Sequence, residues 1–338
     1  MADFMRAVDI KGGKGNADAL FINEKTPKPK PGPGQALVKV AAFGLNRMDL
    51  IQREGHYPVP AGAPSTLGVE FSGTIESFGD DEKHHDSDFK VGDEVFGLGY
   101  GGAYAEFIAV SAKMLLKKPA HLSHVQAAGL PETWFTATQA LHPVLGITAG
   151  KTVLWHAGAS GVSIAGIQLA RQAGASAVFA TAGTDDKCRF IEKELGATAA
   201  LNYKTQDWVD EIVKKTDGKG VDLIIDFIGA DYFQKNIDVA ARDGRICLLG
   251  LMSGSVVNNV NIGKLLGKRL RIEGSSLRSR DEDYQGKLRD SLVQYLPKFE
   301  SGELKIFIDT VLPFEEIVKA HKLLEANTTM GKIICTIS

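Results

Sequence analysis

Cysteine is scarce in this chain: Cys188, Cys247 and Cys335 stand singly among 338 residues. They form neither a CxxC pair nor a disulfide framework, which fits a reducing compartment. No apolar run approaches the roughly 18 residues that a membrane-spanning helix needs. The first ten residues, MADFMRAVDI, lack the apolar core of a secretory signal. Together these absences predict a cytoplasmic protein. An excess of charge is missing too: 39 Lys and Arg stand against 41 Asp and Glu, a net of −2. That balance gives no support for a nucleic-acid or anionic-membrane partner. No internal repeat is visible, and the length suits two domains.

The first third reads as β-rich. Ala36–Asn46, Val69–Gly79 and Glu94–Val110 are strand-like, separated by glycines and short polar turns. Glu24–Gly34 carries proline at every second position from Pro27 to Pro33. This predicts an extended connector, because proline fixes φ and donates no backbone hydrogen bond. Asp80–Asp93 reads as a charged, solvated loop. From about Leu122 the period becomes helical, and then strands and helices alternate. TVLWH, AVFATA, VDLIIDFIG and GRICLLG read as buried strands, with helical segments between them. Such alternation predicts a parallel sheet covered on both faces. The last thirty residues return to strand, helix and strand, and the final strand, GKIICTIS, is a candidate to rejoin the first domain. The expected class is α/β: a Rossmann-type doubly wound sheet plus a β-rich domain. The expected boundaries are 1–132 with 306–338 for the β-rich domain and 133–305 for the dinucleotide-binding domain.

The stretch Trp155–Gly166, WHAGASGVSIAG, is a bent version of the G-x-G-x-x-G loop. It follows a strand pattern and precedes a helical one, which is the context a dinucleotide-binding loop requires. Gly158 permits the tight turn. Gly161 lets the backbone approach a pyrophosphate, and the helix N-terminal amides, Val162 among them, face its charge. Ser163 stands where the third glycine usually allows close helix–strand packing. At the tip of the second strand, Thr181-Ala182-Gly183-Thr184, no acid is placed to bind the ribose diol of NAD. Thr184 and Lys187 are candidates to hold a 2′-phosphate instead, with Tyr203 lining the adenosine end. Asp185 or Asp186, pointing inward, would repel that phosphate. A solvated lysine is the plain alternative for Lys187.

GLNRMDLIQREGHYP, LGVEFSG, VGDEVFG, GGAYAEF, PETWFTA, HAGASGV, LNYK, DFIG and SSLRSRD run through nearly the whole chain. Their order resembles the medium-chain dehydrogenase/reductases, and among them the zinc-free quinone oxidoreductase branch. The likeness is greatest to the inducible NADPH:quinone oxidoreductases of animals. The resemblance implies a GroES-like fold for the first domain, NADPH as cofactor, reduction of quinones, and a homodimer joined through the edge strand of the Rossmann domain. Arg245–Ser253, RICLLGLMS, is the expected edge. Zinc-dependent relatives need Cys where this chain has Asn46, and His before the Glu where it has Val69-Glu70. The stretch from Asp80 to Lys118, expected to carry the four cysteines of their structural zinc, has none. No metal is expected, and His84-His85, adjacent in a charged loop, is a poor ligand pair.

The resemblance also implies the site residues. Asn46 lies near the nicotinamide ribose, with a turn-stabilising amide as its plainer role. Asp49, three residues on, orients Asn46 or caps a helix. Tyr57 reaches the substrate as a donor or packs on Pro58. Thr136 lies beside the nicotinamide carboxamide or bonds its own backbone. Ser160 belongs to the active site or only to its loop. Phe227-Ile228-Gly229 and Gly250-Leu251-Met252 line the cofactor at strand ends, Ser276-Leu277-Arg278 meets its nicotinamide end, and Asn327 completes the contacts. Two alternatives accompany this reading. One is reduction of the activated C=C bond of enals or enones. The other is a crystallin-like nucleotide-binding protein with little turnover.

Overall fold

The computed structural model describes residues 3–79 and 88–338. His84-His85 and most of the expected charged loop lie outside the described residues. The chain divides into two compact units, Met1–Phe135 with Arg278–Ser338, and Thr136–Leu277.

The first unit begins with the hairpin partners β1 (Phe4–Ile10) and β2 (Leu20–Pro27). It continues through β3 (Gln35–Gly44), α1 (Arg47–Arg53), β4 (Glu70–Phe78), β5 (Glu94–Leu98), β6 (Phe107–Ser111) and β7 (Leu115–Lys117). The helix α2 (His124–Ala128) follows, and α3 (Pro131–Gln139) carries the chain across the division at 135/136. The glycines at 99, 101 and 102 break the expected long strand Glu94–Val110 into β5 and β6; Gly102 has φ +93°.

The second unit alternates strand and helix: β8 (Thr152–Trp155), α4 (Gly161–Gln172), β9 (Ala177–Ala182), α5 (Asp185–Lys193), β10 (Ala199–Asn202), α6 (Trp208–Lys215), β11 (Val221–Asp226), α7 (Ala230–Val239), β12 (Ala240–Leu248), α8 (Gly263–Lys268) and β13 (Arg271–Gly274). The chain returns to the first unit through α9 (Glu282–Glu300), β14 (Ile308–Pro313), α10 (Ile317–Glu325) and β15 (Lys332–Thr336).

Among the described residues the second unit's sheet has the order β10-β9-β8-β11-β12-β13, and every pairing in it is parallel. This is the doubly wound order, with its switch point between β8 and β11. Leu154, Phe179, Leu201, Ile224 and Ile246 put one residue from each of five neighbouring strands into a core shared with Trp208 of α6 and Ile237 of α7. The first unit's main sheet runs β14-β15-β3-β4-β5-β7, with β6 also on β3. The final strand does rejoin the first unit: Ile334 pairs with Gly44 and Cys335 with Phe43.

Two expectations need correction. The second boundary lies at 277, not 305. Helix α9 belongs with the first unit because Phe299 packs edge-on against Trp134 at 4.7 Å and Glu282 accepts a hydrogen bond from Ser111. The strand read as RICLLGLMS is not an edge. Its paired part, Arg245–Leu248, lies between β11 and β13, and Arg271–Gly274 is the outer strand. RIEG is short and charged, as protected edges often are, and so gives little strand signal.

Close helix–strand packing in the glycine loop falls at Gly166 rather than position 163. A Cβ on Gly166 would overlap the indole ring of Trp155 on β8. Gly166→Ala should therefore cost roughly 1–3 kcal/mol through overpacking, despite alanine's better helix propensity. Denaturant unfolding checks this, and unchanged stability would contradict the packing.

Candidate functional site

In the second unit the loop after β8 is tied by short hydrogen bonds. Ser160 caps α4: its Oγ accepts from the Ser163 amide at 3.4 Å and donates to Ser163 Oγ at 3.1 Å. Ser163 Oγ in turn donates to the carbonyl of His156 at 2.9 Å. Serine at 163 thus fastens the loop that a glycine would leave loose. The first amides of α4, Gly161 and Val162, have no partner within the helix, and with the helix dipole they suit a pyrophosphate. Gly158 has no space for a side chain, since its Cβ would lie 2.7 Å from Ile191 Cδ1 and 2.8 Å from Ala180 Cβ. Ala157 sits at φ 50°, a conformation costly for an L-residue.

At the tip of β9, Thr184 caps α5 by accepting from the Lys187 amide at 3.3 Å. The acidic neighbours both have partners: Asp185 accepts from Asn202 Nδ2 at 2.7 Å, and Asp186 bonds Arg189. Gly183 and Tyr203 are adjacent, because a Cβ on Gly183 would lie 2.7 Å from the tyrosine oxygen. Tyr203 is largely exposed and Lys187 half-buried.

The loops after β11 and β12 are joined to each other. Met252 N donates to Phe227 O at 3.1 Å and Ser253 N to Ile228 O at 2.8 Å. Gly250 lies against Phe227, with its virtual Cβ 3.0 Å from the Phe227 carbonyl oxygen. Asp226 turns the first loop by accepting from Ile228 N at 2.6 Å and Gly229 N at 3.3 Å.

Beneath these loops runs a buried network. Asn236 Nδ2 donates to Asp226 at 2.9 Å, so Asn236 Oδ1 faces His156 Nε2 at 2.8 Å. Nε2 must then carry the proton, and Nδ1 accepts from the Thr181 hydroxyl at 2.9 Å. Burial pushes the imidazole pKa down to about 4 and the Asp226 carboxyl up to about 6 against the amides it accepts. Thr136 Oγ1 is buried without a hydrogen-bond partner, so it does not bond its own backbone and keeps a donor available. Ser276 is exposed and Leu277 buried, just past β13.

In the first unit the polar side chains converge on Asn46. Its Nδ2 donates to Glu70 Oε1 at 2.9 Å, and its Oδ1 accepts from Lys332 Nζ at 2.8 Å. Lys332 is ion-paired to the same Glu70 oxygen at 2.6 Å. Glu70 Oε2 accepts from the Glu132 amide at 2.9 Å. Asp49 Oδ2 caps α1 by accepting from Asn46 N at 2.8 Å, and also accepts from the Tyr104 hydroxyl at 2.8 Å. Its Oδ1 is buried and unpartnered. Asp49 is fully buried, which pushes its carboxyl up to about 6 despite those donors. Burial and the neighbouring Glu70 hold the Glu132 carboxyl up at about 8.

The Asn46 side chain is thus committed to Glu70 and Lys332 rather than to its turn, while Asp49 both caps the helix and fixes the Asn46 backbone. The Arg278 guanidinium donates to Tyr100 O at 2.9 Å and Gln52 Oε1 at 2.6 Å, and stands 5.4 Å from the centre of the Tyr57 ring. Asn327, at φ 55°, bonds Arg47 next to Asn46.

Each unit therefore gathers its own share of the expected residues. Asn46, Asp49, Tyr57, Arg278 and Asn327 belong to the first, and the glycine loop, Thr136, Thr184, Lys187, Tyr203, the loops after β11 and β12, and Ser276-Leu277 to the second. Sequence reasoning passed over Lys332, Glu70, Tyr104, Glu132 and His156. A signal existed for two of them. Lys332 heads the apolar run KIIC, and Glu70 follows the apolar Leu67–Val69 at the head of its strand.

A doubly wound sheet with a glycine- and serine-built turn at its switch point, in a chain whose other unit gathers buried polar side chains, is the build of a nicotinamide-dependent oxidoreductase. The alcohol dehydrogenase GroES-like domain family matches residues 32–120, and the zinc-binding dehydrogenase family matches residues 161–293. The quinone oxidoreductase of Pseudomonas aeruginosa is 31% identical over 95% of this chain and 96% of its own length. The synaptic vesicle membrane protein VAT-1 homolog of Rattus norvegicus is 30% identical over 98% of this chain and 83% of its own. The Escherichia coli quinone oxidoreductase complexed with NADPH superposes with a TM-score of 0.84 at 27% identity, covering 98% of this chain and 99% of that one. The CurK enoyl reductase superposes with a TM-score of 0.85 at 28% identity, covering 99% of this chain and 100% of that one. The chain belongs to the medium-chain dehydrogenase/reductase superfamily, in its quinone oxidoreductase branch.

The name of the second matched family implies zinc, and the residues here do not fit it. Zinc takes thiolate, imidazole and carboxylate ligands. This site offers an amide, Asn46, and a carboxylate, Glu70, whose partner is already an ammonium. Among the described residues no three His, Cys, Asp or Glu side chains are grouped as ligands.

The buried network makes a pH prediction. His156 has a folded pKa of about 4, below the roughly 6.5 of the unfolded chain. Its contribution is whole above pH 6.5 and is lost as the pH falls toward 4, amounting to about 3 kcal/mol. In His156→Gln, stability measured by denaturant unfolding should fall less steeply across that window than in the wild type. Equal slopes would contradict the buried neutral imidazole.

Proposed function

We propose that the chain is an NADPH-dependent reductase of quinones that works without a metal. The observation carrying this reading is the Asn46–Glu70–Lys332 cluster, in which a side-chain ammonium supplies the buried positive charge. The bound cofactor would supply a hydride, that is two electrons and one proton; with one proton from solvent, a quinone becomes a hydroquinone. The amides of Gly161 and Val162 would receive its pyrophosphate. Thr184 and Lys187 would receive its 2′-phosphate, with Tyr203 at the adenosine end, which the engagement of Asp185 and Asp186 elsewhere favours. The orphaned Thr136 hydroxyl would take the carboxamide. Asn46 and Tyr57 would donate to the acceptor oxygen. A quinone is a strong electrophile, so positioning supplies much of the rate. Transfer in two one-electron steps uses the same contacts and is separated by detection of semiquinone.

The likeness to an enoyl reductase supports a second reading, reduction of the C=C bond of enones at the same residues. The first test is NADPH oxidation at 340 nm by chelator-treated protein, with 9,10-phenanthrenequinone and with an enone as acceptors, and NADH in parallel. Turnover with the quinone is expected to survive chelation and to prefer NADPH. Turnover with the enone alone would favour the second reading. NADPH binding without turnover would favour a crystallin-like binder. Lys187→Met should raise the Kd for NADPH about ten- to a hundredfold and leave NADH within threefold. Equal weakening of both would remove Lys187 from the phosphate site.

The same reading extends to a homodimer in the cytoplasm. Three separate, buried thiols suit a reducing compartment, and among the described residues no helix is long and apolar enough to cross a membrane. The pairing edge is β13, preceded by α8, with Ile262 at the helix N-cap 67% and Leu266 within it 79% exposed. Ile262→Asp with Leu266→Asp should convert the dimer to monomer by light scattering; a wild-type monomer would end the proposal.

A further inference from the structure

Lys332 is an expensive residue where it stands. It is 6% exposed, and Glu70 is not exposed at all. Burying an ion pair offers the fold little that apolar side chains of similar volume would not. The ammonium has three hydrogens and three acceptors: Leu45 O at 2.6 Å, Asn46 Oδ1 at 2.8 Å and Glu70 Oε1 at 2.6 Å. Its donors are used up, so it has none to offer a substrate.

What the ammonium controls is Asn46. The carboxamide lies with its oxygen on a cation and one Nδ2 hydrogen on an anion, Glu70 Oε1 at 2.9 Å. Turned over, it would set NH2 against ammonium and oxygen against carboxylate. Its backbone is held as well, through Asn46 N to Asp49 Oδ2 at 2.8 Å. The second Nδ2 hydrogen is then the one donor of the side chain not spent on Glu70. Withdrawal of electron density by the ammonium at Oδ1 strengthens it, as linked hydrogen bonds polarise one another.

We propose that Lys332 is a positioning residue for the reduction, acting through Asn46: it locks the carboxamide and polarises its remaining N–H as the donor to the acceptor oxygen. This rests on the reductase reading above.

The test uses the full-length protein with Lys332→Met, Lys332→Arg, and Lys332→Met combined with Glu70→Gln. The last keeps the cluster neutral where the single methionine variant fails to fold. Steady-state kcat and KM are measured over quinones of falling reduction potential, NADPH Kd by fluorescence, and the Asn46 side-chain resonances in 15N-asparagine-labelled protein, assigned by their loss in Asn46→Asp. The folded methionine variant is expected to bind NADPH and quinone within threefold of wild type. Its kcat should fall about a hundredfold, most for the weakest acceptors, and Lys332→Arg should recover part of the loss. The wild-type Asn46 Nδ2 resonances should shift and lose exchange protection. In an Asn46→Ala background the same change at Lys332 should cost nothing more.

A folded variant with kcat within threefold for every acceptor, unmoved Asn46 resonances, or a full loss persisting in Asn46→Ala would each overturn the proposal. Absence of quinone turnover by the wild type would overturn the reductase reading and with it the role in reduction, while the resonances would separately report whether Lys332 holds the amide.

Discussion

The ion pair between Lys332 and Glu70 constrains everything around it in the first unit. A charge removed from water costs several kcal/mol unless its partners are close and well placed, and here they come from three neighbouring strands. Lys332 is the first residue of β15, Glu70 the first of β4, and Leu45-Asn46 follows the end of β3 between them. Satisfying the ammonium therefore fixes the relative register of three strand ends. It also dictates a neighbouring glycine. A Cβ on Gly44 would overlap the Glu70 carboxylate and approach the Ala128 carbonyl to 2.9 Å. Glycine at that position follows from space, not from a turn.

The second unit solves a comparable problem without an ion pair: its one acid, Asp226, accepts from the neutral donors Asn236 Nδ2, Ile228 N and Gly229 N. The loops at the ends of β8, β9 and β11 are tied by Thr181, His156, Asn236 and Asp226, each hydrogen bond fixing the direction of the next. Such a chain is stable only when every member is satisfied. The result is a rigid floor for loops whose own residues, Leu251 and Met252, are about half exposed. Rigidity below and exposure above suit a surface that must receive a ligand without reorganising.

The legibility of the sequence follows the range of the interactions. The strand–helix alternation from Thr152 onward was readable because each element is long, apolar and local in its periodicity. The turn between β8 and α4 was readable because glycine and serine sit directly between a strand and a helix. The return of the final strand was visible in its pattern, though its partner β3 lies nearly three hundred residues away. The tether between Lys332 and Asn46 joins positions 286 apart, and no local period carries that information. The glycine for helix–strand contact was misplaced because its reason is the bulk of Trp155. The edge of the sheet was misjudged because an apolar strand reads loudly and the outer strand, RIEG, hardly reads at all. Helix α9 was given to the wrong unit because its aromatic contacts with Trp134 span more than 160 positions of sequence.

The two clusters also explain why single substitutions in them are poor probes of chemistry. Removing Lys332 alone leaves Glu70 a buried carboxylate whose remaining donors, Asn46 Nδ2 and the Glu132 amide, are neutral. Breaking one side of a buried pair costs about 3–5 kcal/mol, a large part of the roughly 5–15 kcal/mol that holds a domain folded. An activity lost that way would report unfolding. Changing Glu70 with Lys332 removes both charges, and the single oxygen of Glu70→Gln accepts from one of the two donors, Asn46 Nδ2 or the Glu132 amide. A chemical role for the ammonium is separable from its structural one in that neutral background, or in a methionine variant shown to be folded.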